Sequence, residues 1–368
     1  LPKRLLFVSC TGQDENIGDV VLRRRLLDEL RGIGRLHVLL AGCCDGFIDA
    51  LALDPDDTVY RSVHEWNEAR DRAMSAGPII YVSKPGEVQV EPRRVINAAR
   101  QLPLMRKIVQ SGGAVVQLGI GARSYPSLWT RALGAVFRYH ALVAWRDPVS
   151  QARFGFGDLM PDWGFDDAGP TREEMAESEV RDVLAISLRG DRPYPDKVWL
   201  DGVRAFADEA GLKPVIVTQV RRDSETGRRL AADLGGDFAD WGDESHREQE
   251  LRLRRLYRRS RLVLSDRLHV LILAFTELAI PLCYLDRNER TVGRHFDAVG
   301  YRKASVNMSG LDRDGQLALL REAASRSEEV AAARLLARAQ IRWMGERLRA
   351  VAGATGVPGK AKDAARAA

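Results

Sequence analysis

The feature that most constrains this chain is an alternation. Short apolar runs rich in Val, Ile and Leu are separated by longer segments of helical period, and the pattern occurs twice along the 368 residues. Such alternation predicts repeated βαβ units, because parallel strands buried on both faces read as apolar throughout. In the first half, strands are expected at Leu5–Ser9, Leu36–Ala41, Pro78–Ser83, Ala114–Leu118 and Leu142–Trp145. Helices fall between them at about Val20–Leu30, His64–Met74, Pro92–Gln110 with a break at Pro103, and Ser127–Tyr139. The second half repeats the arrangement, with strands at Val183–Leu188, Pro214–Gln219, Arg261–Ser265 and Pro281–Leu285. Its helices are expected near Lys197–Ala210, Asp223–Leu234, Glu244–Arg259 and Leu268–Leu278.

The reading is therefore an α/β chain of two Rossmann-like domains facing a cleft, followed by a helical segment. The first domain takes residues 1–166, an acidic linker takes 167–180, and the second domain takes 181–310. Helices are expected over 311–351, and the small-residue and lysine-rich stretch 352–368 reads as a disordered tail. A composition of 45% hydrophobic and 29% charged residues excludes wholesale disorder, and no apolar run approaches the roughly 20 residues of a membrane helix. The net charge of +5 is spread through interleaved signs, which suits anionic small molecules or an acidic membrane surface better than nucleic acid. Cys10, Cys43, Cys44 and Cys283 show neither CxxC nor metal-ligand spacing, and Leu1–Arg4 leads straight into a strand. These point to a reduced, cytoplasmic setting.

In open α/β sheets, ligands bind at the carboxyl ends of the strands, so the residues after each strand carry the functional expectation. The first strand is followed by Asn16-Ile17-Gly18-Asp19, where Asp19 is expected as a helix N-cap. Asn16 and Asp19 either shape this turn or bind sugar hydroxyls. Gly18 permits close approach or a positive φ. Gln117–Gly121 ends the fourth strand with a GxG that falls short of a dinucleotide fingerprint. The fifth strand leads to Arg146-Asp147-Pro148-Val149-Ser150, with Arg146 at the strand end and Asp147 as an N-cap. Arg189 ends the first strand of the second half. The most informative junction is Ser265-Asp266-Arg267-Leu268-His269, where an apolar strand stops and an apolar helix begins. A buried arginine there needs a partner, and a histidine at a helix start in a crevice is a candidate for proton transfer. Trp145, Trp163 and Trp199 either stack on sugar rings or fill cores, the commoner fate.

Taken in order, Asn16–Asp19 (NIGD), Gln117–Gly121 (QLGIG), Arg146–Ser150 (RDxxS), Ile186–Arg189 (ISLR) and Ser265–His269 (SDRLH) resemble the polysaccharide pyruvyl transferase family over about residues 4–300. The resemblance implies a GT-B-like fold with an acceptor side in the first domain and a donor side in the second. It implies transfer of the pyruvyl unit of phosphoenolpyruvate onto two sugar hydroxyls of a cell-surface polysaccharide or lipid-linked glycan precursor. Phosphoenolpyruvate is then a co-substrate and no cofactor or metal is needed. Arg146, Arg189, Arg267 and Arg290 would grip the donor's carboxylate and phosphate. His269 would act as the acid, and Asn16 and Asp19 would hold the acceptor, with Asp19 deprotonating it.

Three departures bear on this. Ser83-Lys84-Pro85-Gly86-Glu87 stands where the family carries a glycine cluster, Arg290 stands for its lysine, and Asp162-Trp163-Gly164-Phe165 replaces its Asp-Pro-Ala-Phe. A guanidinium does not copy the geometry of an ammonium. Two alternatives are a nucleotide-sugar glycosyltransferase of GT-B architecture, for which no clear ribose-binding glutamate is visible in the second half, and a non-catalytic glycan-binding relative. Finally, residues Arg247–Arg261 hold seven arginines against two glutamates. They read as a solvated helix face with Leu251, Leu253 and Leu256 in the core, and otherwise as a peripheral contact with an anionic inner membrane surface.

Overall fold

A computed structural model describes residues 4–166, 180–285 and 290–367, with the side chains of Leu285 and Arg290 outside that description. The chain divides into two compact units: Leu1–Gln13, Leu22–Trp163 and Ala339–Ala368 in the first, Asp14–Val21 and Gly164–Arg338 in the second. Each is built on a sheet whose strand pairs are all parallel, as the uninterrupted apolar runs predict.

The first unit contains β1 (Arg4–Ser9), β2 (Gly34–Leu39), β3 (Thr58–Tyr60), β4 (Ile79–Ser83), β5 (Gly86–Gln89), β6 (Ala114–Arg123), β7 (Leu142–Trp145) and β8 (Asp158–Leu159). Their order is β3-β2-β1-β4-β6-β7-β8, with β5 paired to β6. β4 pairs the first half of β6 and β5 its second half, the break falling at Lys84-Pro85, where proline has no N–H for the ladder. β6 runs on to Arg123 through a register shift between Leu118 and Ile120, where Gly119 takes φ +71°. Phe7, Trp66, Ile108 and Val115 belong to one core cluster, and in another Trp145 stacks on Phe154 while Phe137 meets both edge-on.

The second unit contains β9 (Val183–Ser187), β10 (Lys213–Val217), β11 (Asp237–Ala239), β12 (Ser260–Ser265), β13 (Ile280–Leu285) and β14 (Ser305–Asn307). The order β11-β10-β9-β12-β13-β14 reverses direction between β9 and β12, the switch point at which open α/β sheets bind ligands. Helix Leu268–Thr276 is apolar all round because it is buried all round: Val270 through Thr276 are inaccessible to solvent.

One expectation needs correction. The stretch 352–368 carries helix Lys360–Ala367 rather than a disordered tail. Ala361 and Ala365, one turn apart, are buried, the Gly356 N–H donates to the Gly112 carbonyl at 2.9 Å, and Lys362 Nζ reaches the Arg138 carbonyl at 2.7 Å. The helices expected over 311–351 are present. Arg313–Ala324 joins the second unit, where Gln316 accepts from the Tyr284 hydroxyl at 2.9 Å, while Ser327–Gly353 is shared, its residues from Ala339 onward counted with the first. The expected linker 167–180 lies, except for Val180, outside the described residues. Trp145, Trp163 and Trp199 are all core residues, 2% exposed or less.

His140 gives the first unit a pH dependence. Burial pushes its imidazole down to about 4, against hydrogen bonds that favour the charged form, and its Nδ1 lies 3.2 Å from the Phe137 carbonyl. The neutral ring of the fold competes with an unfolded chain that binds a proton near pH 6.5, so stability is lost as pH falls from about 6.5 to about 4. The loss should reach about 3 kcal/mol at the acid end. Urea unfolding followed by tryptophan fluorescence at both pH values should show a His140→Asn variant losing much less; an equal loss in the two proteins would acquit His140.

Candidate functional site

The described site lies at the carboxyl edge of the second sheet, and it is built from loops that follow β9, β10 and β12. Ser265, the last residue of β12, donates its hydroxyl to the Ser187 carbonyl at the end of β9 at 2.5 Å and accepts from the Arg267 N–H at 3.0 Å. These bonds turn the chain sharply so that helix Leu268–Thr276 starts at the sheet edge, with no side-chain cap from its N-cap residue Arg267. Asp266 then accepts from the Arg189 N–H at 2.9 Å, tying the two strand ends a second time.

Of the four arginines expected to grip a donor, the three with described side chains, Arg146, Arg189 and Arg267, each hold a carboxylate of the protein. Arg267, 8% exposed, makes a two-pronged pair with Asp223 through Nε and Nη2, the latter at 2.6 Å. The same carboxylate accepts from the Gly190 N–H at 2.9 Å. Arg189 is more open and pairs with Asp191 through two bonds of 2.7 Å. That pairing holds the Asp191 carboxyl well below the usual range and raises Arg189 further. Helix Arg290–Asp297 begins at Arg290, whose side chain is outside the described residues.

The Asn16–Asp19 turn belongs to the same unit. Asn16 forms an antiparallel bridge with Val220, Ile17 N donates to the Gln219 carbonyl at 3.4 Å, and Arg221 N donates to the Glu15 carbonyl at 3.3 Å. His246 Nε2 bonds the Asp14 carbonyl. Asn16 is the residue that caps the helix: its side chain accepts from the Gly18 N–H at 3.1 Å. The expectation of Asp19 as N-cap is thereby corrected, since Asp19 lies inside the first turn of helix Ile17–Arg31, where its charge still favours the helix dipole. Gly18 is required by contact and not by a positive φ. A Cβ there would sit 2.3 Å from His269 Cβ and 2.6 Å from its Cγ. The structure thus brings together Asn16, Asp19, Arg189, Arg267 and His269 at one sheet edge.

Arg146 stands in the first unit. It is buried, with Nη1 2.7 Å from Asp162 and Nη2 3.4 Å from Glu87, which also takes Arg123 at 2.6 Å. Burial pulls Arg146 down, but the two carboxylates outweigh it and leave it above the ordinary arginine range. Asp147 caps helix Pro148–Phe154 as expected, accepting from the Ser150 N–H and hydroxyl, both at 2.7 Å. The GxG is structural here: a Cβ at Gly121 would meet Arg146 Nε at 2.9 Å, and one at Gly119 would meet Trp163 at 3.1 Å. Sequence reasoning did not reach Asp223 or Glu87 as partners. The only signal was the general need of a buried arginine for a carboxylate.

No protein-family model and no curated relative matches this sequence. Solved structures match in fold. A chain assigned as UDP-N-acetylglucosamine 2-epimerase of Listeria monocytogenes is 13% identical with a TM-score of 0.55, over 95% of this chain and 96% of that one. HepE of Anabaena in complex with UDP is 10% identical with a TM-score of 0.54, over 94% and 98%. S. aureus MnaA solved with UDP is 11% identical with a TM-score of 0.53, over 94% and 95%. The fold is α/β and GT-B-like, with two Rossmann-like units.

The two carboxylate partners should differ sharply on removal. Asp223→Ala leaves the buried Arg267 charge unpaired and should cost about 3–5 kcal/mol of stability, whereas Asp191→Ala at the open pair should cost less than about 1 kcal/mol. Chemical denaturation of both variants measures the contrast, and equal effects would contradict it. Gly18→Ala should be destabilising by about 1–3 kcal/mol through its clash with His269.

Proposed function

We propose that this protein is a glycan-building transferase whose phosphorylated donor binds at the carboxyl edge of the second sheet. One observation carries the reading: the Gly18 turn packs on His269 with no room for a side chain, beside Arg189, Arg267 and the amino terminus of helix Leu268–Thr276. That edge offers a helix amino terminus for a phosphate, a histidine for proton transfer, and Asn16 and Asp19 for hydroxyls.

A nucleoside-diphosphate sugar is the donor we place first. Its support is the fold shared with HepE and MnaA, both solved with UDP. The diphosphate would take the helix amino terminus, and an acceptor hydroxyl would attack the sugar's anomeric carbon as the nucleoside diphosphate leaves. Asp19 is the group in reach of the turn that would accept the hydroxyl's proton.

A specific feature favours phosphoenolpyruvate as a second reading. Helix Leu268–Thr276 reads LHVLILAFT and offers no carboxylate for a ribose, while SDRLH places arginine and histidine together. In this chemistry His269 delivers a proton to the methylene carbon and regains one from the first sugar hydroxyl as that oxygen adds to the carbon bearing the phosphate ester; the second hydroxyl oxygen then displaces the phosphate, and its proton leaves with inorganic phosphate. Arg189 would exchange Asp191 for the donor's phosphate.

The experiment is to incubate the protein with glycan acceptors and either UDP-sugars or phosphoenolpyruvate, following UDP, inorganic phosphate and acceptor mass. UDP release with a glycosylated acceptor supports the first donor; phosphate release with a ketal-bearing acceptor supports the second. His269→Ala should lower turnover about 10²–10⁴-fold while calorimetry still detects donor binding. Consumption of neither donor, or full turnover by the variant, would overturn the reading.

A further inference from the structure

The arginine-rich run lies on helix His246–Arg259 and the start of β12, and the structure sorts its charges into two groups. One group is spent within the unit. Arg252 pairs with Glu244 at 3.0 Å, and Arg254 pairs with Glu250 at 2.9 Å and Glu277 at 2.6 Å. Arg258 takes the other Glu277 oxygen at 2.7 Å, and Arg259 takes Asp182 at 2.7 Å. Glu248, the acid on the outward face, closes the capping box with Ser245. The second group is Arg247, Arg255 and Arg261, all exposed, with no ion-pair partner among the described residues.

Leu251 joins this second group. The sequence reading places it in the core with Leu253; Leu253 is buried, but Leu251 is 45% exposed. Positions 247, 251 and 255 are one helical turn apart, so the leucine stands between the two arginines on one face, which extends about 12 Å from Arg247 to Arg255. We propose that this face of the second unit docks on an anionic lipid surface. The unpaired guanidiniums complement phosphate headgroups, and Leu251 enters the boundary between headgroups and acyl chains. A nucleic acid would satisfy the charges but offer nothing to the leucine, and Tyr257 on the same helix is buried and so withheld from base stacking.

The test is flotation of the full chain with vesicles of phosphatidylcholine containing phosphatidylglycerol, against pure phosphatidylcholine vesicles. Binding should require the anionic lipid and fall with salt. The triple substitution Arg247→Gln, Arg255→Gln, Arg261→Gln should weaken it about a hundredfold, at about fivefold per arginine, and Leu251→Ser about tenfold. A control with the same charge change elsewhere, Arg93→Gln, Arg94→Gln, Arg131→Gln, should bind as the parent does. Circular dichroism melting verifies that each variant folds. The proposal is overturned if the parent ignores anionic vesicles, if the control weakens binding as much as the triple, or if a DNA duplex binds as tightly with Leu251→Ser without effect.

Discussion

The buried pair between Arg267 and Asp223 is the contact on which the arrangement of the second sheet's carboxyl edge depends. Asp223 follows β10, Arg267 follows β12, and the same carboxylate holds Gly190 in the loop after β9. Three crossovers therefore converge on one carboxyl group. Taking both ions out of water removes most of the Coulombic gain, so the pair contributes less to net stability than to fixing where these loops run. His269 inherits its place from that arrangement, because it stands two residues beyond Arg267 on a helix whose other residues are almost all buried.

The first unit solves the same problem with different residues. Arg146 also stands at a strand end, also buried, and finds Asp162 and Glu87 where Arg267 finds Asp223. Its neighbour Gly121 makes way for the guanidinium stem much as Gly18 makes way for His269. In both cases a large polar side chain occupies a place where the facing backbone can tolerate only hydrogen at Cα. Arg189 contrasts with both, since its carboxylate partner lies on the open side of the loop.

The alternation of apolar runs was legible because burial on two faces leaves a direct trace in residue type. Leu142–Trp145 appears with the expected bounds, and β1, β4, β9 and β12 each differ by one residue at one end. β6 was cut short at Leu118 because a glycine reads as a strand end, whereas Gly119 bulges and the ladder continues. β3, β8, β11 and β14 are two or three residues long and of mixed polarity, so the neighbouring strand defines them more than their own composition does. Lys360–Ala367 was misread because alanine and lysine suit both a solvated chain and a helix; the buried spacing of Ala361 and Ala365 decides between them. Arg189, Arg267 and His269 could be found from their places at strand ends. Asp223 and Glu87 could not, because pairings across such sequence distances leave no local pattern.

The carboxylates around Arg189 and Arg267 make the second sheet's edge its own counter-ion reservoir. Asp191 is solvent-facing and bound to a guanidinium that stays charged at any ordinary pH, so it acts as a resident monoanion. For a negatively charged ligand, arrival there is substitution, not simple capture. A guest must bring more charge density than the aspartate it displaces, which favours dianions such as phosphoryl groups over simple carboxylates. The displaced side chain remains tethered two residues away, ready to close the vacancy as the guest departs.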